Sequence, residues 1–183
     1  MANLISHSRI DENGKAHGGV AGDQNLREVC IQDWWDMPAN RVLRIENEAV
    51  RKQFANNMID IANNNNVGYD QWQRNTLLIE GIKVNFDFTK IAVPCECDCS
   101  SDVVTALLGA IYTILGKDAY LKAYSILVVD GNCATTRNMR SRMTSLEKAM
   151  GLKVTVYSSS DYTRSTNKAI YGVYSSSKHP SAL

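Results

Sequence analysis

The segment from residue 100 to residue 115 constrains the fold most, because it carries a start signal, an apolar stripe and a stop signal in one run. Ser100, Ser101 and Asp102 are helix-capping residue types, and Gly116 is a residue type that ends helices. Between them, apolar side chains recur at the three- and four-residue steps of one broad helix face. These are Val103, Val104, Leu107, Leu108, Ile111, Ile114 and Leu115. The pattern predicts a helix at 100–115, the clearest in the chain.

Other patterns predict the remaining elements. Helices are predicted at 46–62, 69–83 and 136–150, and strands at 153–157 and 169–174. Residues 1–30 are rich in turn signals. In this order the helices come first and the short strands come last. The order predicts an α+β fold with a small antiparallel sheet in the C-terminal part.

Composition excludes several functional classes. The chain has 183 residues, about one domain, and a formal net charge of +1. It therefore lacks the positive surplus of a general nucleic-acid binder, and it has no apolar run of about 18 residues that would span a membrane. Residues 1–15 lack the basic start and apolar run of a secretory signal peptide, so we expect synthesis in a cytoplasm.

The cysteines are odd in number and clustered. There are five, and Cys95, Cys97 and Cys99 lie within one short stretch, where an extended backbone would place them on one face. Metal binding is one interpretation, although Cys30, Cys133 and the histidines are not at ligand spacing. Burial as small hydrophobic side chains is a second, and it suits Cys30 and Cys133.

A nucleophilic role for Cys99 is the third interpretation. Cys99 directly precedes the predicted helix, whose N-terminal N–H groups and dipole can stabilise a thiolate and hold an oxyanion. The nearby acidic residues Glu96, Asp98 and Asp102 act in the opposite direction, because like charge raises the pKa of a thiol. A neighbouring imidazole is therefore required.

The residues around Cys99 resemble the Asp-Cys-Ser motif of NlpC-like and CHAP-like cysteine peptidases, papain-fold enzymes that cut bacterial cell-wall peptides. Here the motif reads Cys97-Asp98-Cys99-Ser100-Ser101. Further segments resemble lysins from phages of Gram-positive bacteria, in the same order. They are residues 8–15, 21–24, 28–30, 42–44, 68–71, 73–74 and 133–139. The resemblance covers nearly the whole chain and implies a papain-like α+β fold.

The resemblance also implies a catalytic pair. Cys99 matches the nucleophile that attacks a peptide carbonyl, and His179 matches the general base near the end of the domain. The family carries Asp where this chain has Val173, and a polar residue on the strand after the histidine orients the imidazole. No such residue is evident before Leu183, so an upstream residue or a carbonyl must take that role, or the enzyme is weak or inactive.

Five further residues are implied at the substrate. Tyr69 matches a tyrosine that borders the scissile bond, and Asp98 and Ser100 flank the nucleophile. Asp23 and Gln24 either line the substrate groove or make the turn after a glycine, and both alternatives stay open.

Two groups of residues outside this set carry expectations of their own. Trp34, Trp35 and Trp72 either pack in the core, which we favour, or form a sugar-stacking surface. His7 and His17 lie in the turn-rich N-terminal segment and are expected at the surface.

The resemblance thus implies a phage peptidoglycan hydrolase, an endolysin or tail lysin, that cuts an amide bond as an amidase or endopeptidase without metal or organic cofactor. We expect a single catalytic domain over 1–183, with a helical part at 1–94, the nucleophile helix and sheet at 95–183, and no wall-binding domain. It would reach peptidoglycan after holin-dependent release or in the virion tail. Phage tail proteins or a separate wall-binding subunit are possible partners; nucleic acid and membrane are not. The alternative is a non-catalytic virion or tail protein that keeps the fold.

Overall fold

A computed structural model of the chain describes residues 4–33, 39–158, 173–176 and 180–182. Within these ranges the fold is α+β. The helices are α1 (Glu48–Ala62), α2 (Thr76–Lys83), α3 (Cys99–Leu115), α4 (Lys117–Leu127) and α5 (Met139–Met150). The strands are β1 (Leu4–Ser8), β2 (Val29–Asp33), β3 (Ala39–Ile45), β4 (Val67–Tyr69), β5 (Cys95–Cys97), β6 (Val128–Val129), β7 (Asn132–Cys133), β8 (Val154–Ser158), β9 (Val173–Ser176) and β10 (Pro180–Ala182).

The largest sheet has six strands in the order β2-β1-β10-β9-β3-β8, and every neighbouring pair is antiparallel. β1 lies between β2 and β10, with Ser6 opposite Ala182. Two small sheets complete the described part. β4 and β5 are parallel, with Tyr69 opposite Cys97, and β6 and β7 form a short antiparallel pair. The parallel pair brings the Tyr69 segment beside the start of α3.

The core is built around α3, whose residues from Cys99 to Ile111 are all buried. The helix contacts α1, α2 and α4, and it also packs against β1 and β10 of the large sheet. α1 turns Val50, Phe54, Met58 and Ile61 toward this core. The helices predicted at 100–115 and 46–62 are therefore confirmed, and a helix buried on nearly every side is consistent with its broad apolar stripe.

The later elements agree with the predictions only in part. α5 lies inside the predicted helix at 136–150, and β8 overlaps the predicted strand at 153–157 with a shift of one residue. Of the strand predicted at 169–174, the last two residues belong to β9, while 169–172 lie outside the described residues. α4 was not predicted. Within the described part, no helix has the length and apolar character that a membrane crossing requires.

The predicted order of elements is wrong at the N-terminus, because β1, β2 and β3 precede the first helix. The helical part expected at 1–94 therefore also contains the strands β1 to β4. The apolar pattern did not predict β1, because three of its buried residues are polar: Ser6, His7 and Ser8. Ser6, for example, donates a hydrogen bond to the Met58 carbonyl at 3.0 Å, which offsets the cost of its burial.

The helix predicted at 69–83 begins later than expected. Tyr69 ends β4, and α2 begins at Thr76. Between them the Asp70 carboxylate accepts the backbone N–H groups of Trp72 at 2.5 Å and Gln73 at 3.2 Å. This side-chain-to-backbone turn competes with helix formation and delays its start.

Candidate functional site

Cys99 is the first residue of α3, and Asp98 is the N-cap. The Asp98 carboxylate accepts the N–H groups of Ser100 at 2.9 Å and Ser101 at 2.7 Å, and the Ser101 hydroxyl accepts the Asp98 N–H at 2.8 Å. This reciprocal capping box fixes the start of the helix. It also fixes the backbone that carries the Cys99 thiol.

The cap changes the expectation for the oxyanion. The N–H groups of Ser100 and Ser101 are both occupied by Asp98, so they are not open to a substrate oxygen as expected from the sequence. The backbone N–H of Cys99 lies beside its own thiol and is the helix-end donor that Asp98 does not use. One N–H, not a row of them, is therefore positioned at the thiol.

Arg74 is a site residue for which the sequence predicted no role. Its guanidinium forms an ion pair with Asp98 at 2.6 Å and donates to the Ser100 hydroxyl at 2.8 Å. It also donates to the carbonyls of Cys133 at 2.9 Å and Ala134 at 3.2 Å. The guanidinium thus joins the turn before α2 to the start of α3 and the end of β7. Arg74 lies in residues 73–74, one of the segments that resemble phage lysins, and this resemblance is the sequence signal that could have identified it.

The ion pair determines the charge of Asp98. Burial acts to raise the pKa of its carboxyl, but the hydrogen bond and charge of Arg74 outweigh that effect, so the pKa lies below its ordinary value. Asp98 is therefore a carboxylate beside Cys99. Arg74 engages the side chains of both Asp98 and Ser100. A contact of either side chain with substrate stays a prediction.

The Cys99 thiol is protonated at neutral pH. Its side chain is only 7% exposed, and burial, followed by the charges of Asp98 and Asp102, raises its pKa to about 12. Arg74 opposes the shift without cancelling it. The helix N-terminus alone therefore does not make a thiolate here, and a nucleophilic Cys99 would need a neighbouring base.

The histidines divide into three cases. His179 lies outside the described residues. His17 is exposed as expected, whereas the surface expectation for His7 is wrong, because His7 is buried in β1. The Nε2 atom of His7 lies 3.6 Å from the Cys30 sulfur and contacts the Gln32 amide. His7 and Cys30 therefore form a thiol–imidazole contact.

Tyr69 lies beside the nucleophile candidate. Its side chain is buried, and burial, with smaller contributions from the charges of Cys99 and Asp98, raises the pKa of the phenol. The Gln71 amide donates to the phenol oxygen at 3.1 Å. Tyr69 is thus a neutral hydroxyl close to the thiol. Its contact with substrate stays a prediction.

Asp23 and Gln24 organise a loop. The Asp23 carboxylate accepts the N–H groups of Arg27 at 3.0 Å, Glu28 at 3.3 Å and Val29 at 3.4 Å. The Gln24 amide donates to the carbonyls of Ala21 at 2.9 Å and Gly22 at 3.4 Å. The turn-making alternative therefore describes their observed contacts, and a groove-lining role stays a prediction.

The other four cysteines form no cluster with Cys99. All five thiols are free, Cys95, Cys97 and Cys133 are buried, and Cys30 is half-buried. The extended backbone that would place the three neighbouring thiols on one face is interrupted, because β5 ends at Cys97 and α3 begins at Cys99. Across the described ranges, no group of three or more His, Cys, Asp or Glu side chains is arranged to hold a metal ion.

A comparison with known families assigns the chain to a group. The family model described as an endolysin-like domain matches residues 5–179, which include Cys99 and nearly the whole chain. The predicted resemblance to phage lysins is confirmed by this match. No curated protein and no solved structure matches the chain.

Proposed function

Because this chain belongs to the endolysin-like domain family, we propose that it is a phage lysin that hydrolyses an amide bond of peptidoglycan with Cys99 as nucleophile. The observation that carries the proposal is the position of Cys99 at the first residue of the buried helix α3, beside Tyr69 and the Arg74–Asp98 ion pair. We further propose that residues 1–183 act as one catalytic domain with the papain-like fold of NlpC-like or CHAP-like enzymes. A thiol-bearing helix packed on an antiparallel sheet supports that assignment.

His179 is the proposed general base, and the strand register supports it. Ser6 pairs with Ala182 in antiparallel β1 and β10, and continuing that register by two residues brings Ser8 opposite Pro180. The Ser8 hydroxyl donates to Asp102, one turn after Cys99 in α3. This continued register would bring Pro180, the chain neighbour of His179, near the same end of α3 as the thiol.

The proposed reaction proceeds in two steps. His179 takes the thiol proton, and the Cys99 sulfur bonds to the carbonyl carbon while the backbone N–H of Cys99 donates to the developing oxyanion. The imidazolium returns the proton to the amine as the C–N bond breaks. Water, deprotonated by the same imidazole, then hydrolyses the thioester and restores the thiol. No metal or organic cofactor enters this scheme.

The test uses purified Gram-positive cell walls. Wild type should clear them, and Cys99→Ala should lose activity by on the order of a thousandfold or more. Cys30→Ala is the matched control, because the Cys30 thiol contacts the His7 imidazole. Activity in Cys99→Ala, or its loss in Cys30→Ala alone, would assign the nucleophile elsewhere. Mass spectrometry of the released ends distinguishes an amidase from an endopeptidase.

A second candidate is a non-catalytic virion or tail protein that keeps the fold. The observation in its favour is the buried, protonated Cys99 thiol, whose pKa is about 12. This candidate predicts that wild type and Cys99→Ala are equally inactive on walls. Under either candidate we propose action at the cell wall, after release from the cytoplasm or within the tail, with tail proteins or a wall-binding subunit as further partners.

A further inference from the structure

Trp72 is exposed, contrary to the expectation that it packs in the core, while Trp34 and Trp35 lie outside the described residues. The Trp72 side chain is 73% exposed, the largest exposure of any large apolar residue described. One face of the indole stacks on the His17 ring, with ring centroids 3.9 Å apart and an interplanar angle of 11°. The described part of the molecule therefore presents a flat aromatic pair to solvent.

The aromatic pair is held in place from both sides by one buried carboxylate. Asp70 accepts the N–H of Trp72 at 2.5 Å through one oxygen and the N–H of Gly18, the neighbour of His17, at 2.7 Å through the other. The backbone N–H of Gln71 also donates to the Ala16 carbonyl at 3.0 Å. Both loops that carry the rings are thus fixed before any ligand binds, which lowers the entropic cost of binding.

The pair lies on the segment that borders the thiol. The N–H of Asp70 donates to the Cys97 carbonyl at 3.1 Å, two residues before Cys99. Before Trp72 in the chain, the Gln71 amide contacts the Tyr69 phenol, and after it Arg74 forms an ion pair with Asp98. Trp72 therefore lies on the chain segment that connects two residues of the candidate site, Tyr69 and Arg74.

We propose that the His17–Trp72 pair is a sugar-binding subsite that stacks on a pyranose ring of the wall glycan. The proposal rests on the proposed function, which makes a glycan-linked peptide the substrate. A pyranose has one apolar C–H face and polar edges, and here the exposed Trp72 has exposed glutamines, Gln71 and Gln73, as its neighbours in the chain. A protein partner would require a wider apolar patch than one ring flanked by amides.

The test separates binding from catalysis by using the Cys99→Ala variant throughout. The probes are a soluble N-acetylglucosamine tetramer and purified wall glycan free of protein. In a ¹H–¹⁵N spectrum the Trp72 indole N–H signal, identified by its absence in Trp72→Phe, should shift as the tetramer is added. Trp72→Ala should bind purified walls about tenfold more weakly, the effect of one lost aromatic contact. Leu121→Ala on α4, an exposed apolar residue at another surface, is the matched control and should bind unchanged.

The outcomes are distinguishable from those for the proposed function. An unshifted Trp72 signal, or undiminished wall binding by Trp72→Ala, would overturn the subsite. Weaker binding by Trp72→Ala to protein-bearing walls but not to protein-free glycan would also overturn it and assign the face to a protein partner. Tetramer and wall binding that depend on Trp72, in a protein whose wild type does not hydrolyse walls, would support the subsite and remove the enzymatic proposal. An unchanged melting temperature of Trp72→Ala shows that the variant folds.

Discussion

The carboxyl group of Asp102 is fully buried one helical turn after Cys99, and one of its oxygens accepts the Ser8 hydroxyl. Its other oxygen has no hydrogen-bond partner among the residues that the structure describes. Burial, only partly opposed by the Ser8 hydrogen bond, raises the pKa of Asp102 from its ordinary value of 3.8 to about 7. The folded protein therefore holds a proton on Asp102 over a pH range in which the unfolded chain has released it.

Replacing Asp102 by Asn should stabilise the protein in a pH-dependent way. The contribution of Asp102 to stability is complete below pH 3.8 and is lost as the pH rises to about 7, because the folded pKa is the higher one. Asparagine carries no such cost. The melting temperature of Asp102→Asn relative to wild type should therefore rise between about pH 4 and about pH 8. Asp118→Asn, at an exposed position in α4, is the control. A melting-temperature difference between Asp102→Asn and wild type that is the same at about pH 4 and about pH 8 would contradict the prediction.

At the level of residues, the sequence indicates the nucleophile candidate but not its environment. Cys99 is recognisable because its helix signal is local and its motif resembles that of a family. The roles of Arg74 and Asp102 are not recognisable from the sequence, because their partners come from distant segments. Arg74 contacts Cys133, and Asp102 contacts Ser8. His7 was expected at the surface for the same reason, since its partners Cys30 and Gln32 lie on the neighbouring strand.

At the level of elements, the start of α3 depends on Asp98 in two ways, as its N-cap and as the partner of Arg74. Asp98→Ala should lower the free energy of unfolding by about 3–5 kcal/mol, because it leaves the half-buried guanidinium without its carboxylate. Asn47→Ala is the matched control, since Asn47 caps α1 through the N–H of Val50 without an ion pair, and should cost about 1 kcal/mol. Urea unfolding measures both.

A third variant separates the two roles of Asp98. Asp98→Asn keeps an oxygen that can cap α3 but removes the charge that Arg74 needs, so its cost should lie between those of Asp98→Ala and Asn47→Ala. Equal costs for Asp98→Ala and Asn47→Ala would show that the ion pair adds nothing to stability.

Elements with strong helical periodicity were predictable, and elements that depend on long-range pairing were not. α1 and α3 carry apolar residues at regular helical steps. β1 has no apolar alternation, since several of its buried residues are polar. These side chains can be buried because partners far along the chain, such as the Met58 carbonyl, accept their hydrogen bonds. α2 begins late for a local reason that the apolar pattern does not contain, the Asp70 turn.

At the level of the whole molecule, carboxylates organise the N-terminal segment at residues 9–28. Six acidic side chains accept backbone N–H groups of this segment, and several of them are buried. They are Asp11, Glu12, Asp23, Glu28, Asp70 and Glu96. Glu28 also accepts the N–H of Tyr69 at 3.1 Å, which joins the segment to the candidate site. Turn residues in the sequence predict that the segment bends, but not which carboxylates hold it.

The close approach of this segment to β4 gives a test of how strongly it supports the site. Gly68 faces the Gly22 carbonyl so closely that an added Cβ atom would collide with backbone. Gly68→Ala should therefore destabilise the protein by roughly 1–3 kcal/mol, open residues 9–28 to limited proteolysis and slow wall clearing. Gly131→Ala is the control: its φ of +73° makes alanine strained, by roughly 1–2 kcal/mol, but nothing lies within 4 Å. If Gly68→Ala shows the proteolysis pattern of Gly131→Ala, the segment is not held against β4 by this contact.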